Sequence, residues 1–283
     1  MSGVPDAGLY PVCQRFRRFS DEAGDHGSLL YRNLAERLSR DPEILRTASG
    51  TPITTVPNLF FAAVHYLLLT GAVHALSDFY PSVRQDRRPR SDPYPVFREF
   101  CLAHADEIRH LISSRLLQTN EVRRCACLLP VFGLVSAIAP DRPLVLIEVG
   151  SSAGLNLLWD RYAYDYGDGA IYGDAGSRVR LVCRVRGEAR PPIPSTLPDV
   201  RFRVGIDLSP VDVTDPDAFL WLRALIWPEH AERRDLLRCA ARIAEEHPPE
   251  LVQGDALDEL PRLFKRVPRG AALCVFHTQS VLL

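Results

Sequence analysis

The run Leu144-Val-Leu-Ile-Glu148-Val149, followed at once by Gly150-Ser-Ser-Ala-Gly154, limits the possible folds of this chain more than any other segment. A continuous apolar run without polar alternation fits a strand buried on both faces. Such strands belong to parallel sheets covered by helices. Glycines directly after the strand let the backbone turn sharply and approach a ligand closely. The expectation is strand, turn and helix start, with Asn156 at the first helical residues and a ligand crevice beyond the strand end.

The chain on either side reads differently. Before Leu144 the signals are helical. Asp41-Pro42-Glu43 is an N-cap followed by a first-turn proline, Pro57 opens a run with apolar residues at helical spacing, and Asp92-Pro93 starts a helix through Leu111. Thr119-Asn120-Glu121 reads as the cap of a helix reaching Val135, kinked at Pro130. His65 and Tyr66 fall in the second of these helices and read as core or interface residues. After Leu144, strands are expected at 180–186, 201–207, 251–254 and 271–277, with helices from Pro216 through Ile226, up to Glu246, and around 257–264. Strands alternating with helices give an α/β fold with a mostly parallel sheet. The organisation expected is a helical cap region over residues 1–140 and an α/β domain over 141–283, with an insertion at about 159–200.

Composition closes off several function classes. The chain has 283 residues, 46% of them apolar, which is enough for a substantial core. The formal charge of −1 gives no global field of the kind nucleic-acid binders carry, and neither that role nor a membrane role is expected. No segment reaches the ~18–20 apolar residues needed to span a bilayer, and Met1–Tyr10 lacks the layout of a secretory signal. The seven cysteines follow no metal or disulfide spacing, so reduced thiols in a cytoplasm and no metal site are expected.

Polar residues recur at the ends of four expected strands: Glu148 with the glycine turn and Asn156, then Asp207, then Gly254-Asp255-Ala256, then His277-Thr278-Gln279. This ordered set resembles the class I S-adenosylmethionine-dependent methyltransferases. Glu148, Gly150, Ser152 and Gly154 stand in the acid-Gly-Gly-Gly places of their first motif, with serine at the middle glycine. The resemblance implies a Rossmann-like methyltransferase-type domain in which Asp207 binds the ribose hydroxyls and Asp255 the adenine amino group. It implies further that the amides of the helix start receive the methionine carboxylate, and it places His277 near the transferring methyl as candidate base. The acid on the second strand usually follows the glycine turn by about twenty residues. Asp207 lies more than fifty residues past Gly154, which is why an insertion is required.

Longer stretches narrow the resemblance. Gln118-Thr-Asn-Glu-Val122, Glu148–Asn156, Gly205-Ile-Asp-Leu-Ser-Pro-Val-Asp212, Trp221–Pro228 and Gly254-Asp-Ala256 are similar to the DUF2332 proteins, a bacterial family of unknown function. This resemblance implies a methyltransferase-like fold and suggests that Asn120 and Glu121 reach the crevice. Trp159, Tyr162, Tyr164, Tyr166 and Tyr172, interleaved with Asp160, Asp165, Asp168 and Asp174, could line an acceptor pocket, with Tyr162 and Tyr166 in contact with substrate. They could equally be an insertion packed on the sheet.

Two other functions stay open. Gly150-Ser-Ser152-Ala-Gly154 also satisfies the nucleophile elbow of α/β-hydrolases, with Asp255 and His277 following in triad order. The turn could also hold a nucleotide without chemistry. The chain ends at Leu283, six residues past His277, and a complete methyltransferase sheet carries more strands than the four accounted for. Either the domain is shortened at its C-terminus, or its sheet is completed differently, for example by another subunit of a homo-oligomer; a shortened chain is expected to self-associate or to be marginally stable. The combined expectation is S-adenosylmethionine-dependent methylation of a small molecule bound between cap and sheet.

Overall fold

The computed structural model describes residues 8–49, 55–86, 89–188 and 190–278. The chain divides into two compact units, Met1–Thr119 with Leu220–Arg234, and Asn120–Phe219 with Asp235–Leu283. The sequence reading drew its boundary near residue 140. The structure instead assigns the helix after Asn120 to the sheet's unit and gives Leu220–Arg234 to the helical one.

The first unit holds α1 (Tyr10–Asp25), α2 (Leu29–Leu38), α3 (Pro42–Ala48), α4 (Val56–Leu69), α5 (Tyr94–Ala103) and α6 (Ala105–Ser114). Asp41 caps α3 as its sequence suggests, accepting from the amides of Glu43 and Ile44. Aromatic side chains fill the core. Tyr31 stacks on Phe61 at 4.4 Å between centroids, and Phe19 stacks on the same ring at 5.4 Å. His65 is fully buried, with Nδ1 at 3.0 Å from the Ala224 carbonyl and Nε2 at 2.6 Å from Ser82 Oγ. Burial lowers its pKa to about 3, so it is a neutral core histidine. The single helix expected from Pro93 to Leu111 is two, α5 and α6, which divide at His104.

The second unit is built on a four-stranded parallel sheet. Its strands are β1 (Leu144–Val149), β5 (Val200–Asp207), β6 (Glu250–Gln253) and β7 (Ala272–Phe276), in the order β6-β5-β1-β7. Ile147 aligns with Val204 on one side and Val275 on the other. Counted as they occur in this sheet, the strands run 3-2-1-4, the order of the first four strands of a Rossmann sheet. Between β1 and β5 a second sheet forms, β3-β2-β4, from β2 (Ala163–Asp165), β3 (Ile171–Gly173) and β4 (Arg180–Val182). The chain is thus α/β, a helical N-terminal region followed by a Rossmann-like sheet.

Three helices complete this part of the chain after α7 (Cys125–Ile138): α8 (Pro216–Ala224), α9 (Ala231–Glu246) and α10 (Ala256–Phe264). Leu263 and Leu260 of α10 pack on Ile147, Val204 and Ile206. On the opposite face Phe132 of α7 meets Phe276 at 5.2 Å and Trp159 at 4.9 Å.

Several expectations need correction. No α-helix follows the glycine turn. Leu155–Arg161 is a 3-10 segment broken at Leu158, whose φ of −96° and ψ of 17° are not helical, and Leu155 through Trp159 are all buried. The strand expected at 180–186 ends at Val182 and joins β2 rather than β5. Thr119 and Asn120 cap no helix; Glu121 caps a 3-10 turn at Val122–Arg124, and α7 starts after it. The helix expected to reach Ile226 stops at Ala224. Gln279 and the tail Ser280–Leu283 lie outside the described residues.

Candidate functional site

Glu148 is the next-to-last residue of β1 and points to the face on which α7 packs. Its side chain is 1% exposed. Oε1 accepts from Asn156 Nδ2 at 2.9 Å, while Oε2 is buried without a hydrogen-bond partner. Burial raises its pKa to about 8; the Asn156 bond, the Arg124 charge and the Thr278 hydroxyl oppose the shift, and Asp207 adds to it. Near neutral pH the carboxyl therefore carries a proton. A buried acid with one unmet oxygen is costly unless something answers it.

Asn156 is the hub of the surrounding polar cluster. Its Nδ2 also reaches Thr278 Oγ1 at 3.4 Å, and its Oδ1 accepts from the Cys125 thiol at 3.5 Å. Arg124 Nη1 donates to the same Thr278 oxygen at 3.1 Å. Carboxyl, amide, hydroxyl and guanidinium thus meet where β1 and β7 end, at the point where the strand order reverses. Ligands of open parallel sheets bind at that switch point.

The turn is held tightly by protein groups. Gly150 and Ser151 amides both donate to the Ile206 carbonyl, at 2.8 and 3.2 Å. The Ser152 amide donates to Asp207 Oδ2 at 2.7 Å, the Ala153 amide to Asn120 Oδ1 at 3.2 Å, and the Gly154 amide to the Ser151 carbonyl at 2.8 Å. Gly150 and Gly154 adopt φ of 71° and 66°, and Ser152 adopts 49°, a left-handed conformation that costs a non-glycine residue about 1–3 kcal/mol. Ser152 Oγ accepts from Asn120 Nδ2 at 2.9 Å, and Ser151 Oγ is buried without a partner. The five turn amides are thus engaged within the protein, and the segment that follows them is 3-10 rather than α-helical. Arg124 is the cation that stands in the same cluster.

The remaining candidate residues fall in different places. Asp207 accepts from the Ser152 and Ser209 amides, one on each oxygen, so it already fixes the turn. Asp255 is exposed and caps α10 through the Leu257 amide at 2.8 Å. Glu121 pairs with Arg123 at 2.9 Å. Tyr162 is fully buried and donates to the Leu155 carbonyl at 2.7 Å, so it packs the turn's far side. Tyr166 donates to the Ala126 carbonyl at 2.6 Å and borders a cavity of about 300 Å³ with Asp168, Tyr172 and Arg190. His277, the residue after β7, is exposed. Its neighbour Thr278 enters the polar cluster instead. The sequence reading counts Thr278 among the polar residues at the fourth strand's end but gives the role there to His277, and it does not single out Arg124.

A family model described as an uncharacterized protein conserved in bacteria (DUF2332) matches residues 13–281. The chain belongs to the DUF2332 family. No curated protein and no solved structure matches it. Among the described residues no cluster of three or more His, Cys, Asp or Glu could hold a metal, and no helix is long and apolar enough to cross a membrane. All seven cysteines of this DUF2332 chain are free thiols.

Proposed function

We propose that this DUF2332 protein binds S-adenosylmethionine and transfers its methyl group to a small molecule. The observation that carries the reading is the polar cluster around Glu148 at the switch point of a 3-2-1-4 sheet, with an orphaned buried carboxyl oxygen beneath a turn of positive-φ residues. Such a site favours a ligand with an amino-acid head and a nucleoside.

The residues present fit that ligand. Arg124 supplies a cation for its carboxylate. Asp207, held by the Ser152 and Ser209 amides at the end of β5, stands at the strand end where the acid for the ribose hydroxyls belongs in the methyltransferase scheme. Asp255 spends one oxygen on its cap and keeps the other for an adenine amino group. When bound, the cofactor supplies an electrophilic methyl on sulfonium. The protein's part is to position the acceptor, since aligned reactants need no strong base; that suits a cluster built of Glu148, Asn156, Thr278 and Arg124. Free thiols favour a reducing compartment, and we place the protein in the cytoplasm.

Isothermal titration of intact protein with S-adenosylhomocysteine tests the reading. Saturable binding that weakens in Asp207→Ala supports it, and no heat at millimolar ligand sinks it. Binding without methyl transfer to any acceptor would leave a non-catalytic nucleotide module. One observation favours a second reading: Ser152 holds a positive φ within Gly-x-Ser-x-Gly, as a hydrolase nucleophile would. Its Oγ accepts from an asparagine, and ester turnover abolished by Ser152→Ala is the result that would establish it.

A further inference from the structure

The Glu148 carboxyl is more than a wall of the site. Oε1 is fixed by Asn156, Oε2 has no partner, and the side chain is sealed from solvent by protein. The groups facing it come from every neighbouring element. Arg124 and Cys125 lie at the start of α7, Tyr162 follows the 3-10 segment after the turn, Asp207 ends β5, and the uncharged Thr278 stands two residues past β7. Two of these bear on what Oε2 can accept. Arg124 is spread over Thr278 and leaves Oε2 unmet, while Asp207 adds negative charge on the turn side.

We infer that Oε2 of Glu148 is the receptor for a primary ammonium on the ligand, and that binding is an ion exchange in which the ammonium enters and the carboxyl proton leaves to solvent. The inference rests on the proposed cofactor, whose methionine part carries such an ammonium next to a carboxylate. The balance is simple. A neutral carboxyl and a cationic ligand become an ion pair plus one proton taken up by buffer; no bond to carbon is made or broken. The pair forms because a carboxylate in this enclosure is stable only beside a cation, and the N–H donors of an ammonium satisfy the oxygen that now has nothing. Glu148, raised to about 8 by burial, holds its proton at neutral pH and has one to release.

The ligand class follows from this. A nucleoside lacking the amino-acid head, such as 5′-methylthioadenosine, has nothing to exchange for the proton. It should bind without releasing one.

Titration calorimetry at pH 7 in buffers of widely different ionisation enthalpy counts the protons. Intact protein with S-adenosylhomocysteine is expected to release close to one proton per ligand at pH 7 and only a small fraction at pH 9. Glu148→Gln should bind about tenfold to a hundredfold more weakly, the loss of a hydrogen bond to a charged group, and release none. Release by 5′-methylthioadenosine equal to that by S-adenosylhomocysteine would overturn the inference. So would S-adenosylhomocysteine binding whose heat is independent of buffer, and in that case the cofactor reading would stand. Absence of any S-adenosylhomocysteine binding would instead remove the cofactor reading, and the ion exchange with it.

Discussion

The Asp207 carboxylate at the end of β5 accepts the Ser152 amide at the crest of the glycine turn, 2.7 Å away across 55 residues of sequence. A residue suited to ligand binding is therefore also a structural clasp. Replacing it by alanine leaves the Ser152 and Ser209 amides without their acceptor. The expected cost is about 1–3 kcal/mol in urea unfolding, the usual penalty for a polar group left unsatisfied. Asp207→Asn retains an acceptor oxygen and should lose less. Equal stability of wild type and Asp207→Ala would show that the clasp does not hold the turn.

Glu148 predicts a pH dependence of stability whose sign is fixed by the direction of its shift. The folded group titrates near 8 against an ordinary value of 4.5, so between those limits the native state keeps a proton that the unfolded chain has lost. Stability is therefore greatest below pH 4.5 as far as this group is concerned, falls as pH rises to about 8, and is level above. Glu148→Gln should remove that slope, gaining up to about 5 kcal/mol relative to wild type at pH 9. Parallel melting profiles of the two proteins from pH 5 to 9 would contradict it.

Asn120 holds the turn from outside the sheet, donating to Ser152 Oγ and accepting the Ala153 amide. Asn120→Ala is expected to cost about 1–2 kcal/mol. Any ligand affinity should fall with it, since Ser152 occupies a backbone conformation that its surroundings must enforce. Hydrogen exchange at the Ala153 amide is the direct measure, and unchanged protection would refute the role.

Gly205, near the C-terminal end of β5, lies against the turn. A Cβ there would stand 2.6 Å from Ser151 Cβ and 2.8 Å from Leu251 Cδ2, closer than packing permits. Gly205→Ala should destabilise by about 1–3 kcal/mol through overpacking. If it also abolishes S-adenosylhomocysteine binding while the chain stays folded by circular dichroism, then the position of Ser151 matters to the site itself. A neutral substitution would mean the turn has room to shift.

What the sequence made legible follows from physics that is local. β1 could be read because burial on both faces leaves a continuous apolar run, and α3 because Asp41 and Pro42 carry their capping role within a few residues. β2 and β3 span three residues each, too short for any period to show, and β4 found its partner in β2 rather than in the next long strand. The site was half legible. Glu148, Asn156 and Asp207 sit at strand or turn positions where polarity stands out against an apolar run. Asn120 reads locally as a helix cap and is sent to the crevice only by the family resemblance, and the fold shows its amide reaching Ser152. Arg124 and Thr278 meet across 154 residues, and nothing local in an arginine-rich chain distinguishes the one arginine that matters.

The small sheet between β1 and β5 pairs only within itself, while β1 and β5 pair directly from Leu144↔Val200 to Val149↔Ile206. The long covalent path between these strands therefore carries no part of their register. A backbone cut within the Pro191–Pro198 stretch should leave the two pieces associated, because the hydrogen-bond ladder and the Asp207 clasp already do the joining. Natural length variation is likewise cheapest there, at a rim that can be rebuilt while the sheet beneath it stays in step.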